Sequence, residues 1–326
     1  HTESRELIIG RLKKYRMEQR KMYDLIIIGS GPAGLGAAVY GKRAGMSTLV
    51  IEKNPMSGGQ VLTTYEVDNY LGLPGINGFD LGTKFREHAD KMGAEFVEAE
   101  VEGIEDGRNC QTVHTTAGDY EGRTLILAMG AHHAKLGVPG EEELQGMGVS
   151  YCATCDGAFF KNRTVAVVGG GDVALEDAVF LARACKKVYL IHRRDTFRAA
   201  GVLQEAVKKL PNVEILYNTT VQEICGEDMV ENLIIHRDGQ REELAVNGIF
   251  IAVGIHPDTE ICKQLVNCNE AGYVLAGEDT LTDKPGIFAA GDIRKKPLRQ
   301  IITAVADGAN AASAAAAYLA ETMLTN

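Results

Sequence analysis

The sequence predicts an α/β fold of two Rossmann-like, three-layer (ββα) domains, one inserted into the other. Three observations carry that expectation. An apolar strand running into a glycine-rich turn and a small-residue helix occurs at Tyr23–Leu35, and the same arrangement returns at Thr164–Leu175. Gly/Pro stretches bracket the second copy, at Lys135-Leu136-Gly137-Val138-Pro139-Gly140 and at Gly254-Ile255-His256-Pro257. Beyond the second stretch lie one more buried strand and a long Ala-rich helix, which belong with the first copy. The expected boundaries are 1–21 as an N-terminal extension, 22–136 plus 257–326 as the host domain, and 137–256 as the inserted one.

Bulk composition agrees with two ordinary domains. The 326 residues are 45% hydrophobic and 24% charged, as in soluble globular proteins, and 37 glycines suit many tight strand-to-helix turns. The net charge of −10 argues against general affinity for nucleic acid or an anionic membrane. No apolar run reaches the roughly 18 residues that span a bilayer. The Ala304–Ala320 stretch is interrupted by Asp307 and Asn310 and reads as a packed helix. Residues 1–21 are basic but lack the apolar core of a secretory signal, so a cytoplasmic protein is expected.

In chain order, strand Tyr23–Ile28 enters Gly29-Ser30-Gly31-Pro32-Ala33-Gly34, a helix follows to about Arg43, and strand Ser47–Ile51 ends at Glu52. This is G-x-G-x-x-G between strand and helix, with an acid about 20 residues on. Gly29 makes the turn, Gly31 lets a pyrophosphate approach, Gly34 lets the helix pack on the strand, and Glu52 would accept from a ribose. Ser57–Gln60 and Tyr65–Tyr70 read as ordinary loops on their own. A helix is expected over 79–92, antiparallel strands over 95–104 and 110–121, and a buried strand over Thr124–Met129.

The second copy carries Gly169-Gly170-Gly171-Asp172-Val173-Ala174, then a helix to about Ala184 and a strand over Val188–Ile191. In place of an acid stands His192-Arg193-Arg194-Asp195-Thr196-Phe197-Arg198. Arginines there suit a 2′-phosphate, so the second nucleotide is read as NADP(H); the alternative is a solvated basic loop. A helix over 200–210 and strands near 213–217, 230–236 and 249–253 complete the insert. Thr282–Asp292 reads as a strand ending in Gly-Asp, and Gln300–Thr322 as a helix.

Just before the second copy lies Tyr151-Cys152-Ala153-Thr154-Cys155-Asp156-Gly157. The seven cysteines (110, 152, 155, 185, 225, 262 and 268) are odd in number and scattered, so they form no disulfide framework. The C-x-x-C pair differs, because thiol–disulfide exchange needs a thiolate with a second thiol beside it. Zinc and a structural disulfide are the competing readings, but no second C-x-x-C or nearby Cys/His pair supplies further zinc ligands, so no metal site is expected, and a closed structural bond is unusual in the cytosol.

Taken together, G-S-G-P-A-G at 29–34, C-A-T-C-D-G at 152–157, G-G-G-D-V-A at 169–174, H-R-R-D-T-F-R at 192–198, F-A-A-G-D at 288–292 and P-L-R-Q-I-I-T-A at 297–304 resemble the low-molecular-weight, bacterial-type thioredoxin reductases, class II pyridine nucleotide-disulfide oxidoreductases. The resemblance covers nearly the whole chain from Met22. It implies FAD in the host domain, NADPH in the insert, oxidised thioredoxin as protein substrate, and a homodimer. It places Gly291 and Asp292 on the FAD ribityl chain, Arg299, Gln300 and Ile301 near the flavin ring, and Gly59, Gln60 and Asn69 at further flavin positions. It makes Cys155 the sulfur nearest the flavin, Cys152 the attacker of the partner and Asp156 the acid or base. It also implies rotation of 137–256 about linkers near Val138-Pro139 and Gly254-Ile255. Residues 1–21 have no counterpart in the family, and Asp172 stands where several relatives carry another small polar residue. The other functions weighed are a flavoprotein reductase for a different carrier, such as a peroxiredoxin system, and a non-enzymatic flavin redox sensor.

Overall fold

The computed structural model describes residues 21–64, 66–107 and 110–325, so the expected extension lies, except for Lys21, outside the described residues. Two compact units result. Among the described residues one comprises 21–62, Phe79–Ala131 and 257–325; the other comprises Thr63–Gly78 and His132–His256.

The first unit is built on strand β1 (Met22–Ile28), helix α1 (Pro32–Arg43), β2 (Thr48–Glu52), α2 (Gly78–Lys91), β3 (Glu95–Glu98), β4 (Val101–Asp106), β5 (Gln111–Thr115) and β6 (Gly118–Leu127). Their sheet runs β3-β2-β1-β6-β5-β4. β1 pairs in parallel with β2 and β6, and Leu25, Ile26 and Ile27 are wholly buried. A parallel strand covered on both faces reads as a continuous apolar run, which is why it was visible in the sequence. The separate strands expected over 110–121 and 124–129 fall differently. Gly118, at φ +117°, turns the chain into one ten-residue strand, β6, that continues through Gly122-Arg123. Arg123 reaches Asp24 at 2.9 Å and the Thr124 hydroxyl donates to the Asp24 carbonyl at 2.6 Å, so polar residues that look like a break are pinned to β1.

Strand β7 (Ala131–His133) leads into the second unit. There follow β8 (Val149–Ser150), α3 (Ala153–Asp156), β9 (Thr164–Gly169), α4 (Asp172–Ala182), β10 (Lys187–Ile191), α5 (Gly201–Lys208), β11 (Val213–Leu216), β12 (Thr219–Cys225), β13 (Asn232–Arg237), β14 (Gln240–Ala245), β15 (Gly248–Ala252) and β16 (Ile255–Pro257). The parallel sheet runs β11-β10-β9-β15-β8, with an antiparallel β12-β13-β14 sheet and a β16-β7 ribbon. Sequence reading found β13 but not its neighbours. β14 is Gln-Arg-Glu-Glu-Leu-Ala, largely exposed, and has no apolar run to detect. The Asp238-Gly239 turn, with φ of 49° and 84°, is the signal that marks its hairpin.

The chain then returns to the first unit. Strand β17 (Ile287–Ala289) adds to β6 in parallel, and α6 (Ile301–Thr325) packs along α1. That crossing is unusually close: a Cβ on Gly308 would lie 2.0 Å from the Ala33 carbonyl oxygen, and one on Gly36 2.9 Å from that of Val305. Among the described residues no helix is long and apolar enough to cross a membrane.

Candidate active site

The first glycine turn has the geometry its residues require. Gly29 sits at φ +100°, and a Cβ there would lie 2.5 Å from the Ala128 carbonyl oxygen. A Cβ on Gly34 would lie 1.9 Å from the Gly29 carbonyl oxygen, so α1 can meet the strand only with hydrogen at this position. Gly31 is open, its nearest neighbour being the Gly59 Cα at 4.0 Å. Gly58 N donates to Ser30 O at 2.9 Å, which closes the Ser57–Gln60 loop over the turn. The result is a bare backbone cradle at the N-terminus of α1, with Pro32 and Ala33 opening the helix.

Glu52, at the end of β2, accepts from Ser30 N at 2.9 Å and Ser30 Oγ at 2.8 Å, and from Asn54 N and Nδ2 at 2.9 and 3.0 Å. Its carboxylate braces the turn. The Gln60 side-chain amide donates to the Ala131 carbonyl. Asn69 lies in Thr63–Gly78, which groups with the second unit.

The turn after β17 is held from below. Gly291 (φ +83°) donates its N–H to Asp307 Oδ2 at 2.9 Å. Asp307 also receives Arg294 at 2.8 and 2.7 Å and Lys296 at 2.8 Å, all buried. Beside it, Asp292 Oδ1 is buried with no hydrogen-bond partner among the described residues, and so is Arg299 Nε. Burial pushes the Asp292 carboxyl up, against the pull of Lys296 and Arg299. An orphaned buried acceptor and an open glycine cradle in one unit fit a dinucleotide with hydroxyl donors, as FAD has. The Arg299 guanidinium lies 4.1 Å from the Tyr273 ring centre. Gln300 N donates to Thr303 Oγ1 at 3.1 Å and caps α6, whose first residue is Ile301. Asp307 and Arg294 were missed in the sequence; the one hint was an acid interrupting an alanine-rich helix.

In the second unit, a Cβ on Gly169 would lie 2.4 Å from the Ala252 carbonyl oxygen and 2.6 Å from the Ala174 Cβ, while Gly171 is open. Asp172 accepts from Ala200 N at 2.7 Å, and Val173 is exposed on the first turn of α4. His192, a candidate nucleotide contact, is 7% exposed. Its ring lies under Gly170, where a Cβ would be 2.1 Å away, and its Nε2–H donates to Thr196 O at 2.9 Å. The structure thus places His192 as a prop beneath the turn. Arg193, Arg194 and Arg198 are exposed, and none forms an ion pair among the described residues. Arg198 N donates to Gly170 O at 2.8 Å, which ties the basic segment to the turn.

Cys152 and Cys155 form a disulfide with Cα atoms 5.3 Å apart, both half-buried. Cys152 caps the short helix α3, and its Sγ lies 3.4 Å from Thr154 Oγ1. Ser150 Oγ donates to Asp156 Oδ2 at 2.5 Å and accepts from Cys152 N at 3.1 Å, so one hydroxyl links the acid to the cysteine backbone. Burial pushes the Asp156 carboxyl up, only partly offset by Ser150. A neutral carboxyl can give a proton to a leaving thiolate, which an ionised one cannot. The other cysteines are separate thiols, and burial raises Cys185 to about 11 and Cys262 to about 12, away from reactivity.

The comparisons with known proteins agree with this chemistry. The family profile described as pyridine nucleotide-disulphide oxidoreductase matches residues 23–308. A thioredoxin reductase of Listeria innocua is 46% identical over 306 residues, 93% of this chain and 96% of that protein. One from Bacillus subtilis is 46% identical over 308 residues, 94% of this chain and 97% of that one. The crystal structure of thioredoxin reductase from Streptococcus pyogenes superposes with a TM-score of 0.89 at 42% identity, covering 92% of this chain and 99% of that one. The expected fold class and enzyme class therefore hold: the chain belongs to the pyridine nucleotide-disulphide oxidoreductases, in their thioredoxin reductase branch.

Proposed function

We propose that the chain is an NADPH-dependent, FAD-containing thioredoxin-disulfide reductase acting as a cytoplasmic homodimer. The observation that carries this reading is the Cys152–Cys155 disulfide with Asp156 behind it, in the same unit as the second glycine turn and its arginines. In this reading the host domain is 22–136 plus 257–326 and the insert is 137–256. Gly29, Gly31 and Gly59 would hold FAD at the first turn, and Asp292 would accept from its ribityl hydroxyls. Gly169–Ala174 hold the NADPH pyrophosphate, and Arg193, Arg194 and Arg198 its 2′-phosphate. FAD, when bound, supplies the two-electron relay between NADPH and the disulfide.

The protein residues do the rest. Two electrons open the Cys152–Cys155 bond, giving two thiolates. Cys152 attacks one sulfur of the partner disulfide, and the other partner sulfur leaves with a proton from Asp156. Cys155 then attacks the Cys152 sulfur of the mixed disulfide, which closes 152–155 again and releases the second partner sulfur as a thiolate; that thiolate and Asp156 each take a proton from solvent. Net, one partner disulfide takes up two electrons and two protons. Rotation of 137–256 about linkers near Val138-Pro139 and Gly254-Ile255 would let one flavin serve both the second glycine turn and the disulfide, which lie in the same unit.

The test is the visible spectrum of the purified protein titrated with NADPH and with NADH, followed by addition of oxidised thioredoxin. Flavin bleaching at low NADPH, reversed by thioredoxin, is expected. Equal bleaching by NADH would overturn the NADPH assignment, and failure of thioredoxin to restore colour would overturn the substrate. Cys155→Ser should stay yellow and lose thioredoxin reduction entirely.

A further inference from the structure

Glu141 stands out as a carboxylate with no part in the chemistry above. It follows the glycine-proline linker, and a side chain of this kind, one of three consecutive glutamates, is ordinarily solvated. It is 1% exposed instead. Its oxygens accept from Leu136 N at 3.0 Å and Gly137 N at 2.7 Å, the linker's own backbone. The same carboxylate accepts from Tyr151 Oη at 2.8 Å, and Tyr151 immediately precedes Cys152. The Tyr151 ring in turn stacks on His133 of β7, centroids 5.3 Å apart.

The linker is also docked just past this point. Pro139 O accepts from Ile224 N at 2.9 Å, and a Cβ on Gly140 would lie 1.9 Å from the Ile224 carbonyl oxygen. Val138-Pro139, the expected hinge, is thus fastened to β12. Bonds from two backbone amides and a phenol onto one carboxyl group that is 1% exposed make this a stiff joint, because each donor is satisfied out of water.

We infer that Glu141 is a positioning residue: it welds the linker from Leu136 onward to the segment that carries the redox disulfide, through Tyr151, so that hinge motion falls before Leu136, on the β7–β16 ribbon twisting as a pair. Cys152 then keeps its place while the linker turns before Leu136. The inference rests on the proposed reductase reading for its kinetic consequence but not for the bonds themselves.

The test uses the full-length holoenzyme and Tyr151→Phe, which keeps the ring stack and removes one bond; Glu141→Gln is the second variant. Exchange of the Leu136 and Gly137 amides should speed up at least tenfold, about the loss of one buried hydrogen bond. The kcat for thioredoxin reduction should fall about tenfold with the KM for NADPH unchanged, a split that general destabilisation would not give. Unchanged amide exchange in both variants overturns the weld. Faster exchange with full kcat, or a fall in kcat matched by a rise in the KM for NADPH, overturns the positioning role. If the wild type itself fails to reduce thioredoxin, the substrate reading falls, and amide exchange still decides the weld.

Discussion

Replacing Asp307 by Asn removes the buried negative charge that two buried cations, Arg294 and Lys296, share. Asp307 is 2% exposed and accepts four hydrogen bonds: one from Gly291 N, two from Arg294 and one from Lys296. Asn keeps the shape but brings an NH2 group to face a guanidinium or an ammonium. Breaking a buried ion pair on one side costs about 3–5 kcal/mol, since the remaining charge stays desolvated. The exposed Glu278, 3.1 Å from Arg294, softens this only slightly. Against a typical total of about 5–15 kcal/mol the loss is large. Urea unfolding at pH 7, followed by circular dichroism, should show it, with Glu278→Gln as the near-neutral control. Burial alone would raise the Asp307 carboxyl, but the bonds from Arg294 and Lys296 win and hold it below the ordinary carboxylate range. Its contribution is therefore present above the unfolded pKa, about 3.9, and lost as pH falls through the lower folded value. The gap between wild type and variant should narrow below about pH 4 for that reason. A loss under about 1 kcal/mol, or an equal loss in Glu278→Gln, would refute the argument.

Three further outcomes are expected. Gly308→Ala puts a methyl 2.0 Å from the Ala33 carbonyl oxygen, so α1 and α6 must part; a loss of at least about 1–3 kcal/mol in the same urea assay is expected, and a neutral result would mean the helices slide freely. Asp156→Asn should slow thioredoxin reduction by about 10²–10⁴-fold. Because burial raises the Asp156 pKa, the ionised group weakens the fold as pH rises through the folded value, so the Asn variant should melt higher than wild type at alkaline pH and not at acid pH. Arg194→Ala should raise the KM for NADPH by about 10–100-fold and leave that for NADH unchanged; a parallel rise in both would point to a structural role.

Features set by the local backbone were legible before folding. Gly34 is dictated by the Gly29 carbonyl oxygen five residues back and the C-x-x-C spacing is itself a disulfide geometry, while Gly29 and Gly169 were legible from the motif spacing although the carbonyls they avoid, Ala128 and Ala252, are distant. Features that depend on distant partners were not. Asp307 looked like an interruption in a helix and Glu141 like part of a charge run, because Arg294, Lys296, Leu136 and Tyr151 enter only through the tertiary fold. His192 sat in a basic segment and was read with it, although its ring fills the space that Gly170 leaves. β14 was lost because an exposed edge strand needs no apolar residues.

The β7–β16 ribbon has a consequence for how the chain is made. One hydrogen bond flanks it in each unit, Asp258 N to Gly130 O at 3.0 Å and Ala134 N to Gly254 O at 2.9 Å. During synthesis the first half of the host sheet emerges lacking β17, and it must wait while the whole insert is translated. The insert contains both sheets it needs, so it can close first. Once closed, it carries the two severed ends of the host to within one strand spacing, about 4.8 Å. With those ends held together by the ribbon, the effective loop that β17 must close to pair with β6 shrinks from the length of the whole insert to the segment after Pro257.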